Sequence, residues 1–575
     1  MNLYIEYCFI GFCAIFFLLN CCCRAQKLND VYNLNFEYSI DRLSMFNTWK
    51  VSGCLSHQVK LDSLNVYDGK SSTKIIVTCT NIQPGGGLQI NQLLTIPPKV
   101  NNVEISFWTK SEKLSQGMFN IVVLDSLEQI IIKEELSFQQ SSSWSRISCK
   151  FENKLGRLMH LEFEIGANSI IWLDNLELLL NGIDYYKFNE QHEKIIQDSD
   201  FLTNRNILTK MIDFNFTRII NDLRLKKIIG IGESSHGNHE IGEFRNKLTK
   251  ELISKEKCRL VILEAPEMFA EHLNKYIHGD LNEVELFKRN DQVGVQYFNL
   301  TEEIFDLLKW IKKYNETTKH KVNIAGMDVS HEWSLPLRRV INGIQNKSYR
   351  KQINNYMNLS RPDSIITFMK TNEIKIVSEI SKNRFDSICE MAIKYQRFIS
   401  VYSSFSNDKV RDSIMALNVL EFTNKFNKEG EKVVVFGHLA HLNKQKIDNS
   451  ISSSVGNYLS KNLGSNYFVL GLLVATGEFQ AYQIDNKKLN IQPLISSASG
   501  SIEYYCNKLT NKQFYLNLHK EPLFFNRIML YRFVGGIPRK QQFFPGNPAL
   551  RFDGIIFMPI GSPSHLLPIY NAAKK

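Results

Sequence analysis

Four short apolar runs in the second part of the chain constrain its fold more than any other feature. Ile228-Ile229-Gly230-Ile231 precedes Glu233 and His236, and Leu260-Val261-Ile262-Leu263 precedes Glu264. Val322-Asn323-Ile324-Ala325-Gly326 precedes Asp328, and Val433-Val434-Val435-Phe436 precedes His438 and His441. Each run is too short for a helix and most are rich in β-branched residues, and helical text separates them. Strands of a parallel sheet covered on both faces read this way. In an open α/β sheet the carboxyl ends of the strands line the crevice where ligands bind. The polar residues that close these runs should therefore meet at one edge.

The first part of the chain reads differently. From Leu28 to about Leu180, strands alternate polar and apolar residues, as in Val103-Glu104-Ile105-Ser106-Phe107-Trp108 and Leu161-Glu162-Phe163-Glu164-Ile165. Turn residues such as Asp68-Gly69-Lys70 and Pro84-Gly85-Gly86-Gly87 punctuate them. Many short strands at this spacing predict an antiparallel β-sandwich or a barrel. The expected architecture is thus multidomain: an amino-terminal antiparallel β-sandwich over residues 27–182, a polar linker over 183–205, and an α/β domain with a mainly parallel sheet over 206–575. Between Asp328 and Val433 about a hundred residues carry helical periodicity and no convincing strand, which predicts a helical insertion over about 332–429.

The amino terminus reads as an export signal. Residues 5–23 are apolar and end at Arg24-Ala25-Gln26, as a signal peptide over 1–26 would. Leu18-Leu19-Asn20-Cys21 also fits a lipoprotein leader ending at residue 20, and an uncleaved leader would anchor the chain in a membrane. The expected location is secreted, periplasmic or lipid-anchored at the outer membrane, and not cytoplasmic. The net charge of +11 is spread among alternating Lys and Glu without a basic block, so no nucleic-acid partner is expected. Six cysteines follow the leader: Cys54, Cys79, Cys149, Cys258, Cys389 and Cys506. None shows C-x-x-C spacing, and buried free thiols are expected, although the first three fall in one region where two of them can pair.

Residue types limit the chemistry. The chain has no G-x-S-x-G, so the nucleophile elbow of serine hydrolases is not expected. Ser234 and Ser235 beside His236 leave a nucleophile reading open. His236-Gly237-Asn238-His239-Glu240 misses the zinc motif H-E-x-x-H in spacing. Imidazole–carboxylate pairs suit a general base that activates water, with a second histidine stabilising the oxyanion or protonating the leaving alkoxide.

Two resemblances follow from motifs. Leu34-Asn35-Phe36-Glu37, Trp49, Asp68-Gly69-Lys70 and Trp172-Leu173-Asp174-Asn175 are similar to jelly-roll modules of carbohydrate-binding type. That resemblance implies a structural calcium at Glu37 and Asp174 and a glycan partner stacked on Trp49, Trp108, Trp144 or Trp172; ordinary strand-end polar residues and core tryptophans are the alternatives. Gly232-Glu233-Ser234-Ser235-His236-Gly237 with Glu240 and Arg245, Leu263-Glu264-Ala265, Gly326-Met327-Asp328-Val329, Arg411-Asp412-Ser413 and Gly437-His438-Leu439-Ala440-His441 together resemble the erythromycin esterase family, in order, from about Asn206 to Pro568. The resemblance implies an esterase that uses no metal or other cofactor. It places the water-activating base on His236, essential carboxylates on Glu233 and Glu264, and a second histidine pair on His438 and His441. Arg245, Glu240, Asp328, Arg411 and Asp412 are expected to bind substrate or support these. Leu439 stands where the family usually has Asn, and His239 is additional. The expected function is hydrolysis of a carboxylic ester, a macrolactone or an acyl group, by a monomer acting on a small molecule. A metal- or haem-binding surface protein and a glycan-binding protein with an inactive esterase domain are the alternatives.

Overall fold

The computed structural model describes residues 32–38, 49–54, 56–79, 87–192, 216–288, 297–330, 333–403, 407–445, 453–483, 488–520, 523–538 and 542–567. The leader falls outside them. Among the described residues no helix is long and apolar enough to cross a membrane.

The amino-terminal part forms two antiparallel sheets. One runs in the order Lys50–Gly53, Leu88–Thr95, Leu158–Ile165, Gly117–Leu124, Ile130–Ser137. The other runs His57–Asp62, Ser72–Val77, Ser169–Leu180, Asn102–Lys113, Ser145–Glu152. Period-two patterning does the folding here: in Leu88–Thr95 every second side chain is buried. The inward faces share one core in which Phe36 stacks on Trp49 and Phe107, Phe119 and Phe163 meet at ring distances of 4.5–4.9 Å.

Two sequence expectations need correction in this part. Cys54 and Cys79 form a disulfide rather than remaining free. Cys54 follows the edge strand of one sheet and Cys79 follows a strand of the other, so the bond ties the two layers at one end. Their 25-residue separation carries no spacing signal; only the layering brings them together. Cys149 is left as a free, half-buried thiol. The expected linker is also structured at its start. Ile183–Asp184 pairs with Leu179–Leu180, and residues 185–192 are helical. Tyr185 is fully buried in the sandwich core, edge-on to Tyr32 at 5.5 Å. The core therefore extends past residue 182.

The carboxy-terminal part is built on a mixed sheet in the order Asn323–Asp328, Cys258–Pro266, Lys432–His438, Ile228–Glu233, Tyr467–Gln483, Gly554–Gly561, Phe514–Asn517. The first six pair in parallel; Phe514–Asn517 and Lys488–Leu494 pair antiparallel. Ile228–Glu233 is buried along its whole length because helices cover both faces. Ile229 and Ile231 face a core with Phe244, Leu248 and Leu252 of the His239–Lys255 helix. Ile228 faces the opposite core with Val433, Met415 and Val419. Among the described residues between Asp328 and Lys432 lie six helices over Ser334–Phe426, most of them around a small core of their own with Leu337, Ile353, Met369 and Ile388. The last of these helices, Asn407–Phe426, returns to the sheet and carries Arg411 and Asp412 to its edge.

The two parts touch. The carboxylate of Glu128, in the turn between two sandwich strands, accepts from Arg551 through both oxygens at 3.0 Å. It also accepts from the amide of Asn547 at 3.1 Å. Both charged side chains of this contact are buried.

Candidate functional site

The four strands that end in polar residues are neighbours in the sheet, so their carboxyl ends share one edge. Glu233 and His438 lie directly opposite each other in register on adjacent parallel strands. From Glu233 the chain turns sharply into the His239–Lys255 helix. Gly237 makes that turn possible: a Cβ there would sit 2.0 Å from the carbonyl oxygen of Gln480, so any other residue would push the turn off its neighbour.

The turn folds His236 back onto Glu233, with Nδ1 2.6 Å from Oε1. The second oxygen of Glu233 accepts from Arg245 at 2.9 Å, and the guanidinium rests 4.5 Å over the Phe436 ring. Burial pushes the pKa of Glu233 up, but Arg245 and the hydrogen bond with His236 outweigh it and hold the carboxyl below its ordinary value. Glu233 is thus an anion. An anionic Glu233 accepts from Nδ1–H, which leaves the lone pair of His236 on Nε2.

His438 has the opposite tautomer. It caps the Leu439–Leu442 helix, and its Nδ1 accepts from the Ala440 amide at 3.2 Å. An accepting Nδ1 leaves the ring hydrogen on Nε2. The rings of His236 and His438 are 5.1 Å apart. One therefore presents an acceptor and the other a donor beside the same space.

Glu264 and His441 hold this arrangement from behind. Glu264 Oε2 accepts from the His438 amide at 2.7 Å, and Oε1 lies 3.4 Å from His441 Nε2. His441 Nδ1 pairs with Asp412 at 2.8 Å. Burial lowers the affinity of His441 for its proton, yet Asp412 and Glu264 raise it more, to about 9. His441 is consequently an imidazolium at neutral pH. Asp328 engages Arg411 through both carboxylate oxygens, at 2.7–3.2 Å. That pairing overcomes the effect of burial and keeps the guanidinium firmly charged.

Glu240 lies in the first turn of the His239–Lys255 helix. Its carboxylate takes the amide and hydroxyl of Ser562, each at 2.6 Å, and so anchors the segment after the last strand. The expectation is that it binds substrate or supports the site; its contacts lie with the segment whose Ser564 amide donates to the Gly237 carbonyl in the turn. Ser234 and Ser235 are fully buried; the Ser234 hydroxyl makes no hydrogen bond, and the Ser235 hydroxyl meets only the Gly237 amide, at 3.5 Å. Glu37 and Asp174 are close enough that Glu37, after burial, helps raise the pKa of Asp174. Both spend oxygens on the turn at residues 67–71, accepting from the amides of Lys70, Tyr67 and Asp68. Trp49 and Trp172 are core, while Trp108 and Trp144 are half-buried around Tyr67.

Sequence reasoning misses three walls of the crevice. Phe298 stacks on His236 with ring centres 4.1 Å apart, and Phe533 meets His438 edge-on at 4.6 Å. Gly535, with φ of +72°, leaves His438 Nε2 3.9 Å from where a Cβ would be, and its carbonyl accepts from the His236 amide. Phe298 comes from a single 3-10 turn, Tyr297–Asn299, and the other two from a late segment with no periodic signal.

An α/β domain whose strand ends gather oppositely polarised imidazoles, one held by a carboxylate and the other by a backbone amide, is a scaffold for acid–base chemistry. The chain belongs to the erythromycin esterase family: the family model matches residues 253–372 and 378–560, more than half of its length. The stretch with Glu233 and His236 lies just ahead of the matched segments. Erythromycin esterase type II of Escherichia coli is 21% identical over 320 residues, which is 47% of this chain and 74% of that protein. A Bacillus cereus protein of known crystal structure superposes with a TM-score of 0.53 at 19% identity, covering 64% of this chain and 99% of that one. A succinoglycan biosynthesis protein superposes with a TM-score of 0.50 at 20% identity, covering 61% of this chain and 92% of that one.

Proposed function

We propose that this protein hydrolyses a carboxylic ester by direct attack of water, with His236 as general base. The observation that carries the reading is the pair of tautomers: Glu233 leaves His236 Nε2 unprotonated, and Ala440 leaves His438 Nε2 protonated, with the rings 5.1 Å apart. A water molecule between His236 and the acyl carbon gives its proton to Nε2 as its oxygen adds to that carbon. The negative charge that develops on the carbonyl oxygen is met by His438 Nε2–H and by the field of the His441 imidazolium. On collapse, the departing alkoxide takes the proton held by His236, and the products are an alcohol and a carboxylic acid, which releases its proton to solvent as the carboxylate. Glu233 orients the base and Glu264 fixes His438, so both are positioning residues. Asp412, Asp328, Arg411 and Arg245 hold the charges in place.

The substrate reading is an ester small enough to pass the helices over Ser334–Phe426. The names of the relatives point to a macrolide and to a glycan. Export is part of the proposal, supported by the apolar leader over 1–26 and by the Cys54–Cys79 disulfide, a bond that persists in oxidising compartments. Incubating the purified mature protein with an aryl ester, macrolides and acylated glycans, with products read by mass spectrometry, tests the reading. Gain of the mass of one water on a macrolactone, or cleavage of another ester into its acid and its alcohol, is expected; no turnover of any ester would overturn it.

A further inference from the structure

His239, the histidine additional to the family pattern, sits in a second constellation. It opens the His239–Lys255 helix, Glu303 lies in the first turn of the Glu302–Thr317 helix, and His565 follows the last strand. One ligand atom from each of the three lies within 4.8 Å of the others. His239 Nδ1 is 2.6 Å from Glu303 Oε1, and His565 Nδ1 is 3.8 Å from the same oxygen. The two rings stack at 4.4 Å. Glu303 is buried, and its other oxygen, Oε2, is buried without a hydrogen-bond partner among the described residues. An ionised carboxylate oxygen left bare in the interior is costly, and it points to a missing cation. Gly242 makes room for this carboxylate, since a Cβ there would lie 3.0 Å from Glu303 Cβ and Cγ.

We infer that His239, Glu303 and His565 bind a divalent transition-metal ion, with zinc as the ion their chemistry suits. Two imidazoles and one carboxylate are borderline ligands that select zinc over calcium or magnesium. Ligand atoms on a tetrahedral zinc stand about 3.3 Å apart, given bonds of about 2.0–2.1 Å, and the 2.6 and 3.8 Å separations bracket that value. Glu302 Oε2, 3.7 Å from His565 Nδ1, or a water completes the set. On binding, the metal takes the place of the proton between His239 Nδ1 and Glu303, and that proton leaves to solvent. The site stands where the turn after His236 enters the His239–Lys255 helix. It fastens residues 562–566, already bonded to Gly237, His239 and Glu302 through the backbone, onto two helix starts. It is therefore a structural staple and does not depend on the ester reading.

The test uses full-length mature protein stripped with a chelator, dialysed, and titrated with zinc alone against a chromophoric competitor. One zinc per chain with micromolar or tighter affinity is expected, together with a Tm rise of about 2–5 °C at a hundredfold excess over Kd. His565→Ala changes a half-exposed side chain and should fold normally. It should bind at least about tenfold more weakly and lose the Tm rise, as expected on removal of a ligand. Glu303→Gln should do the same if it folds. No stoichiometric zinc in the wild-type protein, or equal binding and an equal Tm rise in His565→Ala, overturns the site.

Discussion

Replacing Glu233 by Gln tests the tautomer argument with the smallest change of shape. Arg245 has donors only and stands 2.9 Å from one Glu233 oxygen. An amide has one oxygen, and Arg245 claims it. The NH2 group must then face His236 Nδ1, which has to accept, so the ring hydrogen moves to Nε2. The base would then offer a hydrogen to the water instead of a lone pair. The comparable wrong-tautomer substitution in the serine-protease triad costs about 10⁴ in kcat. We expect kcat/KM of Glu233→Gln to fall by about 10³–10⁴, equivalent to about 4–5.5 kcal/mol of transition-state stabilisation. The fold should lose less, about 1–3 kcal/mol, because the amide oxygen still meets Arg245 but without a charge. Adding Arg245→Met releases the amide to turn its oxygen toward Nδ1, so the double variant should be faster than Glu233→Gln alone. The assay is aryl-ester turnover beside a melting curve. Turnover of Glu233→Gln within tenfold of wild type, at a normal Tm, would refute the reasoning.

The remaining predictions concern charge, domains and processing. His441 has a folded-state pKa raised to about 9 from 6.5, so its contribution to stability is complete below pH 6.5 and is lost as pH rises through 9, at most about 3 kcal/mol. In Asp412→Asn, which removes the main cause, the alkaline limb of the pH–rate profile should move to lower pH; an unmoved limb would show that His441 does not set it. Residues 27–192 expressed alone should give a cooperative unfolding transition, while residues 27–182, which lack the buried Tyr185, should be less stable by about 3–5 kcal/mol on chemical denaturation. Glu128→Ala strips Arg551 of its buried partner and should leave the two parts of the chain more readily cleaved between them by protease, with each part still folded; cleavage at the wild-type rate would count against the contact. Intact mass of protein from an exporting host should show loss of residues before Cys21 or Lys27, and a full-length species held in the membrane fraction would contradict export.

The crevice is legible in the sequence because a parallel sheet converts a one-dimensional pattern into a place. Each apolar run predicts a strand, strand direction is shared, and so Glu233, Glu264, Asp328 and His438 must share an edge. Arg411 and Asp412 are legible only as part of a family motif, since their helix packs back onto the sheet after a long excursion. Phe298, Phe533 and Gly535 are illegible because nothing local in a single 3-10 turn or a late hairpin states which wall it will form. The disulfide is hidden for a similar reason: pairing follows from which strands lie at the ends of two layers. The helix at 185–192 is hidden in polar text, and buried Tyr185, with Tyr186 and Phe188 packed beside it, holds it to the sandwich. Glu240 is legible as a first-turn carboxylate, but its partner Ser562 is not, because nothing local says that the segment after the last strand returns to this helix.

Direct attack by water from His236 is the central claim, and comparing single substitutions on one ester tests it most directly. Kcat/KM would be measured for His236→Ala, Ser234→Ala and Ser235→Ala, with a melting curve for each. The account predicts that His236→Ala falls by at least about a hundred- to ten-thousandfold, the typical worth of a general base. Its Tm should drop only modestly, since the ring loses the Phe298 stack and one hydrogen bond. Both serine variants should stay within about tenfold of wild type, as buried hydroxyls that take no part in proton transfer. A serine variant as slow as His236→Ala at a normal Tm would mean a covalent acyl-enzyme, and an active His236→Ala would mean that the base lies elsewhere.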